Sequence, residues 1–244
     1  MAETGNIRET RWFAREIKFL IDGNKFAELR DWSRANLAAD PNGVGEFGDE
    51  YHTTSLYFDT PKLDVFHGRG SYGRGKFRIR RYGSDDLLFL ERKFRSERFL
   101  AKRRTAIGRD EVNRLFEPTY DRSWDGHWFH RRLLKRGLQP TCQVSYVRTA
   151  RGMQTPNGLA RMTMDSDLRV LPMPDLAFIP GAGMLLMEDQ VIVEMKFRVE
   201  MPALFKQVIE EYIISTKPVS KYKTGVKSLG YSDTGETTSL PPLE

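Results

Sequence analysis

Three stretches of the chain repeat one chemical pattern: Glu16-Ile17-Lys18-Phe19, Glu91-Arg92-Lys93-Phe94 and Glu194-Met195-Lys196-Phe197. In a strand, an acid and a base two residues apart share one face, and the aromatic and the spacer share the other. A fourth stretch, "KFRIRRY" at 76–82, puts Lys76, Arg78, Arg80 and Tyr82 on one face and Phe77 and Ile79 on the other. Tyr146 with Arg148, and Arg161 with Thr163 and Asp165, are same-face sets of the same kind. The apolar residues opposite need a core, so the charged faces meet either water or an enclosed lumen. Arginine suits bidentate contact with phosphate, and lysine supplies a point charge. Enclosed bases repel one another unless carboxylates and a bound anion neutralise them, so a lumen of this composition is a polyanion site. A glutamate there can hold a divalent cation that bridges phosphate oxygens. The competing use of each glutamate, Glu91 above all, is an ion pair with the lysine two residues on.

For these faces to converge, the strands must form one curved antiparallel sheet with helices outside it. Residues 12–21 read as a strand, and 22–37 as a helix capped by Asp22 with Phe26, Leu29, Trp32 and Leu37 on its apolar side. Residues 52–60 read as a strand stopped before Pro61. Residues 76–83 and 87–107 supply further strands, broken at 83–86 and near Ser96. Helices are predicted at 109–116 and 125–136, strands at 141–150, 159–171 and 190–197, and a helix at 202–215 with Pro202 in its first turn. The stretch "KPVSKYKTG" at 217–225 reads as a basic loop or strand. Residues 1–10 and 232–244 read as tails, and no linker divides the span 11–231.

The 244 residues carry 39 Lys and Arg against 33 Asp and Glu, a formal charge of +6 that favours anionic partners without choosing among them. Cys142 is the only cysteine, which excludes an intramolecular disulfide and a cysteine-built zinc site. No signal core and no run of about 18 apolar residues occurs, so a cytoplasmic protein is expected. "GRGSYGRGK" at 68–76 matches two phosphate-loop spacings, but a strand follows it where both motifs require a helix. His127 and His130 have helical spacing without an acidic partner and read as surface or packing residues.

The succession "REIKFLI", "TTSLYFDT", "KFRIRRYG", "FLERKF", "VSYVRTA", "ARMTMDSDL", "VIVEMKF" and "SKYKTG" resembles the VTC polyphosphate polymerase domain, a branch of the triphosphate tunnel metalloenzymes. The likeness runs from about Arg11 to Tyr231. It implies an α+β fold, an antiparallel eight-stranded β-tunnel with helices packed outside, entered by a nucleoside triphosphate. It also implies Mn2+ or Mg2+ assisting transfer of the γ-phosphoryl group of ATP onto a growing polyphosphate chain. By the resemblance the phosphate-gripping bases fall on Lys18, Arg78, Arg80, Lys93, Arg148, Arg161 and Lys196, and the metal-binding acid on Glu194. A Ser-Lys pair near the active end falls on Ser220 and Lys221, and Tyr57 and Tyr146 match aromatics near the nucleotide or chain. Glu16 and Glu91 accompany them on the substrate side.

Ala14 stands where the wider superfamily's hydrolases and cyclases often have the first Glu of Glu-x-Glu-x-Lys, which argues against those activities. The inositol-phosphate-sensing domain and transmembrane helices of eukaryotic members are not in this sequence. The expected partners are ATP and polyphosphate, with no nucleic acid. The competing readings are hydrolysis of tripolyphosphate or a nucleoside triphosphate in the same tunnel, and a non-catalytic polyphosphate-binding module.

Overall fold

The computed structural model describes residues 6–11, 14–95, 100–173, 175–179, 181–212 and 214–231. The chain opens with β1 (Ile7–Arg11) and β2 (Ala14–Asp22). Next comes α1 (Gly23–Asn36), whose start is fixed by the Asp22 carboxylate accepting from the Lys25 amide at 2.9 Å. Then follow β3 (Ala38–Ala39), β4 (Glu50–Asp59), the single turn α2 (Asp64–His67) and a 3₁₀ turn at Gly70–Arg74. Strands β5 (Gly75–Tyr82), β6 (Leu87–Arg95) and β7 (Leu100–Gly108) form a meander, and a 3₁₀ segment at Arg109–Phe116 leads to α3 (His127–Arg136). The long pair β8 (Gln139–Thr155) and β9 (Gly158–Pro172) precedes β10 (Met184–Leu185), β11 (Gln190–Arg198), α4 (Ala203–Glu211) and α5 (Lys221–Ser228).

All strands join one antiparallel sheet in the order β1-β7-β6-β5-β4-β8-β9-β11-β2, with β10 beside β9 and β3 beside β8. Among the described residues the sheet thus has eleven strands, a correction to the eight expected. The long strands β2, β5, β6, β8, β9 and β11 carry the alternation legible in the sequence. The two-residue β3 and β10 are too short to show any, and β1 pairs with β7 inside the stretch read as a tail. The tail read at 232–244 and the break read near Ser96 lie outside the described residues. β1 and β2 stand at opposite ends of the order and do not pair with each other.

The apolar strand faces bury against helices in two clusters. Trp128, Phe129 and Leu133 of α3 cover Phe58, Phe77, Ile79, Leu88 and Leu90, while Leu29 of α1 and Phe205 and Val208 of α4 cover Phe19, Met162, Val193, Met195 and Phe197. Each such side chain contributes roughly 1.5–3 kcal/mol, so these faces fix the outside of the sheet. The opposite face buries charge instead: Arg80, Glu91, Arg148, Asp165 and Glu194 are each no more than 6% exposed. Charged groups this enclosed on the concave side define a lumen, the antiparallel tunnel the alternation implies.

Residues 217–220 are loop as read, but 221–225 correct the sequence reading, because they begin the helix α5. Ser220 caps it, accepting from the Lys223 amide at 3.3 Å. Gly225 allows close docking on β8 and β9, since a Cβ there would lie 3.0 Å from Val170 and 3.3 Å from Val144. The Tyr222 hydroxyl donates to the Asp59 carboxylate, which also accepts from the Val65 and Phe66 amides at 2.8 and 2.9 Å. Helix α5 therefore closes one end of the lumen. Among the described residues no helix is long and apolar enough to cross a membrane.

Candidate active site

Strand register brings the repeated acid–base pairs into one patch. Lys18 lies opposite Glu194, Glu16 opposite Lys196, and Arg161 and Thr163 flank them on β9. Lys196 Nζ is 2.8 Å from Glu194 Oε1, and Lys18 Nζ is 3.1 Å from Glu16 and 3.7 Å from Glu194. Glu16 also receives Lys93 at 3.1 Å, which ties β2 to β6. Burial opposes ionisation of Glu194, but Lys196 and Lys18 override it and hold the carboxyl well below the usual carboxylate range.

A second acid centre is Glu91 on β6. It accepts from Arg78 Nε at 2.8 Å and lies 3.1 Å from Lys102 and 3.3 Å from Arg104. Burial again opposes ionisation and loses to Arg78, Arg80, Lys102 and Arg104, so this carboxyl too is held well below its ordinary value. The third is Asp165, gripped by Arg148 at 2.6 and 2.8 Å and by Lys221 at 2.5 Å. Lys221 arrives there from the start of α5 and lies 4.9 Å from the Tyr146 ring centre.

Arg80 differs from these. Its hydrogen bonds go to hydroxyls, Ser55 Oγ and Tyr146 Oη, both at 3.0 Å. Among the described residues it has no carboxylate within ion-pair distance, although it is only 5% exposed. Arg78 adds a bond to Tyr57 Oη at 3.3 Å. Lys76 donates to Ser220 Oγ at 2.8 Å and likewise lacks an acid partner among the described residues. Burial, opposed by Tyr57 and reinforced by Lys18, Lys93 and Arg78, lowers Lys76 to about 8. Burial would raise the Tyr82 phenol, but Arg80 and Arg104 bring it to about 8.

The sequence-chosen residues Lys18, Arg78, Arg80, Lys93, Arg148, Lys196, Lys221, Tyr57, Tyr146, Ser220, Glu16, Glu91 and Glu194 all lie along this lumen. Arg161 sits at its margin, donating to Tyr51 Oη at 2.6 Å and paired at 2.6 Å with Asp40, outside the strand face. Asp165 and Lys76 were visible as face residues without a role. Lys102 and Arg104 were missed because "KRR" at 102–104 puts bases on both faces and hides the alternation. His130 is buried with Nε2 2.9 Å from the Glu117 carbonyl oxygen, a packing residue.

Within the lumen the lysines and arginines far outnumber the carboxylates Glu16, Glu91, Asp165 and Glu194. The enclosure is strongly cationic and suited to a chain of negative charges. As for a divalent cation, no three His, Cys, Asp or Glu side chains gather among the described residues. Glu16 and Glu194 lie within hydrogen-bonding reach of one another, and the buried Thr163 hydroxyl opposite Glu194 has no hydrogen-bond partner among the described residues. Two carboxylates and an open hydroxyl fit a cation that takes its remaining ligands from bound phosphate and water.

Comparison with solved structures places this architecture. The candidate adenylate cyclase of Bacillus halodurans aligns with a TM-score of 0.55 at 16% identity, covering 87% of this chain and 95% of its own. The Hippeastrum adenylyl cyclase candidate, described as having a dominant triphosphatase activity, gives 0.48 at 13% identity, with 87% and 95% covered. At 16% identity the Bacillus halodurans likeness speaks to the fold alone. No curated protein matches the chain. The model of the VTC domain family matches residues 13–230, nearly all of the tunnel described above, and this chain belongs to the VTC domain family.

Proposed function

We propose that the protein is a polyphosphate polymerase that transfers the γ-phosphoryl group of ATP onto a growing inorganic polyphosphate chain within the lumen. The observation that carries this reading is Arg80, a buried guanidinium with hydroxyl partners and, among the described residues, no carboxylate within ion-pair distance, set among bases that outnumber their carboxylates. A buried charge left without a counter-charge is costly, and a bound phosphate removes that cost.

Arg78, Arg80, Tyr57 and Tyr146 grip the transferring phosphoryl group and its neighbours, with Arg148 and Lys221 beside them at the α5 end. Lys18, Lys93 and Lys196, more exposed, hold the rest of the chain. A terminal oxygen of one phosphate attacks the γ-phosphorus, and the bond from that phosphorus to the bridging oxygen breaks, its electron pair leaving with ADP. Positioning and charge stabilisation do the catalytic work, so no protein nucleophile is needed. Glu194 and Glu16 would hold Mn2+ or Mg2+, which when bound draws charge from the phosphoryl oxygens. Lys18 and Lys196, which pair with these carboxylates, also line the lumen and would face the substrate phosphates.

The test is incubation with ATP and Mn2+, with and without a short polyphosphate primer, following ADP, free phosphate and chains together. Chains rising in step with ADP support the polymerase. Free phosphate without chains would replace it with a hydrolase, and binding without turnover with a non-catalytic module.

A further inference from the structure

A second concentration of arginine lies on the outside of the tunnel and plays no part in the lumen. Arg8 on β1 pairs in register with Arg103 on β7, and Arg103 with Arg92 on β6, so three guanidinium groups stand abreast across neighbouring strands. Their sequence neighbours Glu91, Lys102 and Arg104 face the lumen, so these three face outward. Like charges directly opposite one another destabilise a sheet. Helix α3, packed against β6, adds Arg131 and Arg132, close enough to Arg103 for all of them to weaken its hold on its proton. After burial, the largest influence, Arg8, Arg92, Arg131 and Arg132 bring Arg103 down to about 10. Among the described residues none of these five has a carboxylate within ion-pair distance. Arg92 also keeps a buried Nε without a hydrogen-bond partner.

Beside them opens a depression of about 510 Å³ lined by Tyr120, Arg131, Arg132, Leu134 and Lys135. The nearby aromatic Trp128 is buried, with Arg103 stacked 4.3 Å from a ring centre, so it offers no free face to a nucleobase. Planar forks in a row match a bare chain of phosphates, and Tyr120 is the one ring among the described residues lining the depression on which a nucleobase could stack.

We infer that the outer arginine face of β1, β6, β7 and α3 is a second binding site for a chain of condensed phosphates, separate from the lumen. The inference rests on reading the lumen as the place where such chains are handled. A chain longer than the tunnel would be held outside it by this face.

The experiment measures binding of long-chain polyphosphate by calorimetry in an Arg80→Ala background, which weakens the lumen. Adding Arg92→Gln, Arg103→Gln and Arg132→Gln is expected to lower the remaining affinity at least tenfold and flatten its salt dependence. A second variant, Arg131→Gln with Arg132→Gln, alters only α3 and is expected to act in the same direction, which separates charge loss from misfolding of the sheet. Unchanged affinity in both variants, or tighter binding of single-stranded RNA or anionic vesicles than of polyphosphate at matched charge, overturns the inference. Failure of the lumen reading is read separately, as tripolyphosphate affinity that Arg80→Ala does not reduce.

Discussion

The Arg80 guanidinium meets the Tyr146 phenol at 3.0 Å, reaching from β5 past β4 to β8. This bond aims a fully charged group into the lumen without neutralising it. Arg80→Ala should therefore lower turnover by roughly 10²–10³, the usual cost of losing one donor to developing charge. Arg80→Lys should not rescue it, because lysine lacks the fork. Steady-state rates beside a thermal melt check this, and near-normal turnover in Arg80→Ala would remove Arg80 from the site.

Glu194→Gln keeps the shape of the patch and removes the charge that Lys18 and Lys196 share. Turnover should fall at least about a hundredfold, while tripolyphosphate still binds because the bases remain. Titration of Mn2+ in the presence of tripolyphosphate should lose its binding isotherm in the variant. An isotherm equal to that of the wild type would move the cation elsewhere.

Glu91 serves the resting protein more than the reaction. Glu91→Gln strands Arg78, Lys102 and Arg104 and should cost about 3–5 kcal/mol, the usual effect of breaking a buried ion cluster. Tripolyphosphate should restore part of it by binding the folded state. The native carboxyl is held below its ordinary value of 4.5, so its stabilisation is complete above that pH and drains away as pH falls towards the folded value. Denaturant melts between neutral and acid pH should show a shallower acid loss in the variant than in the wild type; parallel curves would contradict the assignment.

Lys76 and Tyr82 both titrate near 8 in the folded protein. As pH rises through that value the lysine loses its positive charge and the phenol gains a negative one, so affinity for tripolyphosphate should fall. Lys76→Arg should remove the lysine part of that limb and Tyr82→Phe the phenol part. Stability moves the other way for Lys76, rising between about 8 and its ordinary 10.5, because the unfolded chain holds the proton more tightly. Binding measured from pH 7 to 10 with both variants decides it, and a flat wild-type profile would refute the assignment.

Tyr222 and Asp59 latch α5 across the end of the lumen. Tyr222→Phe removes one donor from a buried carboxylate and should cost about 1–3 kcal/mol. KM should rise more than kcat falls, because Ser220 and Lys221 ride on the same helix. A melt and a rate profile indistinguishable from the wild type would leave α5 without this role.

The lumen was legible where strands alternate cleanly. From Lys76 to Arg80 in β5 and from Val193 to Arg198 in β11 charged and apolar residues alternate, and the structure sends the two sets to opposite faces. What pairs with what was not legible, because the register that sets Lys18 beside Glu194 is decided by contacts between distant strands. Helix α5 escaped because Thr224 and Gly225 are poor helix formers; its docking on Val144 and Val170 outweighs that local preference. The tyrosine that caps the lumen floor was equally hidden, since nothing in "SKYKTG" announces a partner at Asp59.

β1 and β2 follow one another in the chain yet end on opposite sides of the ladder, and the contact between Glu16 and Lys93 ties β2 to β6 with charge rather than backbone. Around the rest of the circumference, widening would tear ladder hydrogen bonds. Along this seam the described residues offer one partly exposed ion pair, Glu16 with Lys93, worth about 0–1 kcal/mol. Among the described residues the ladder that aims Arg78 and Arg80 is thus unbroken from β1 round to β2, and the gap in the hoop lies between those two strands, away from the groups it holds in place.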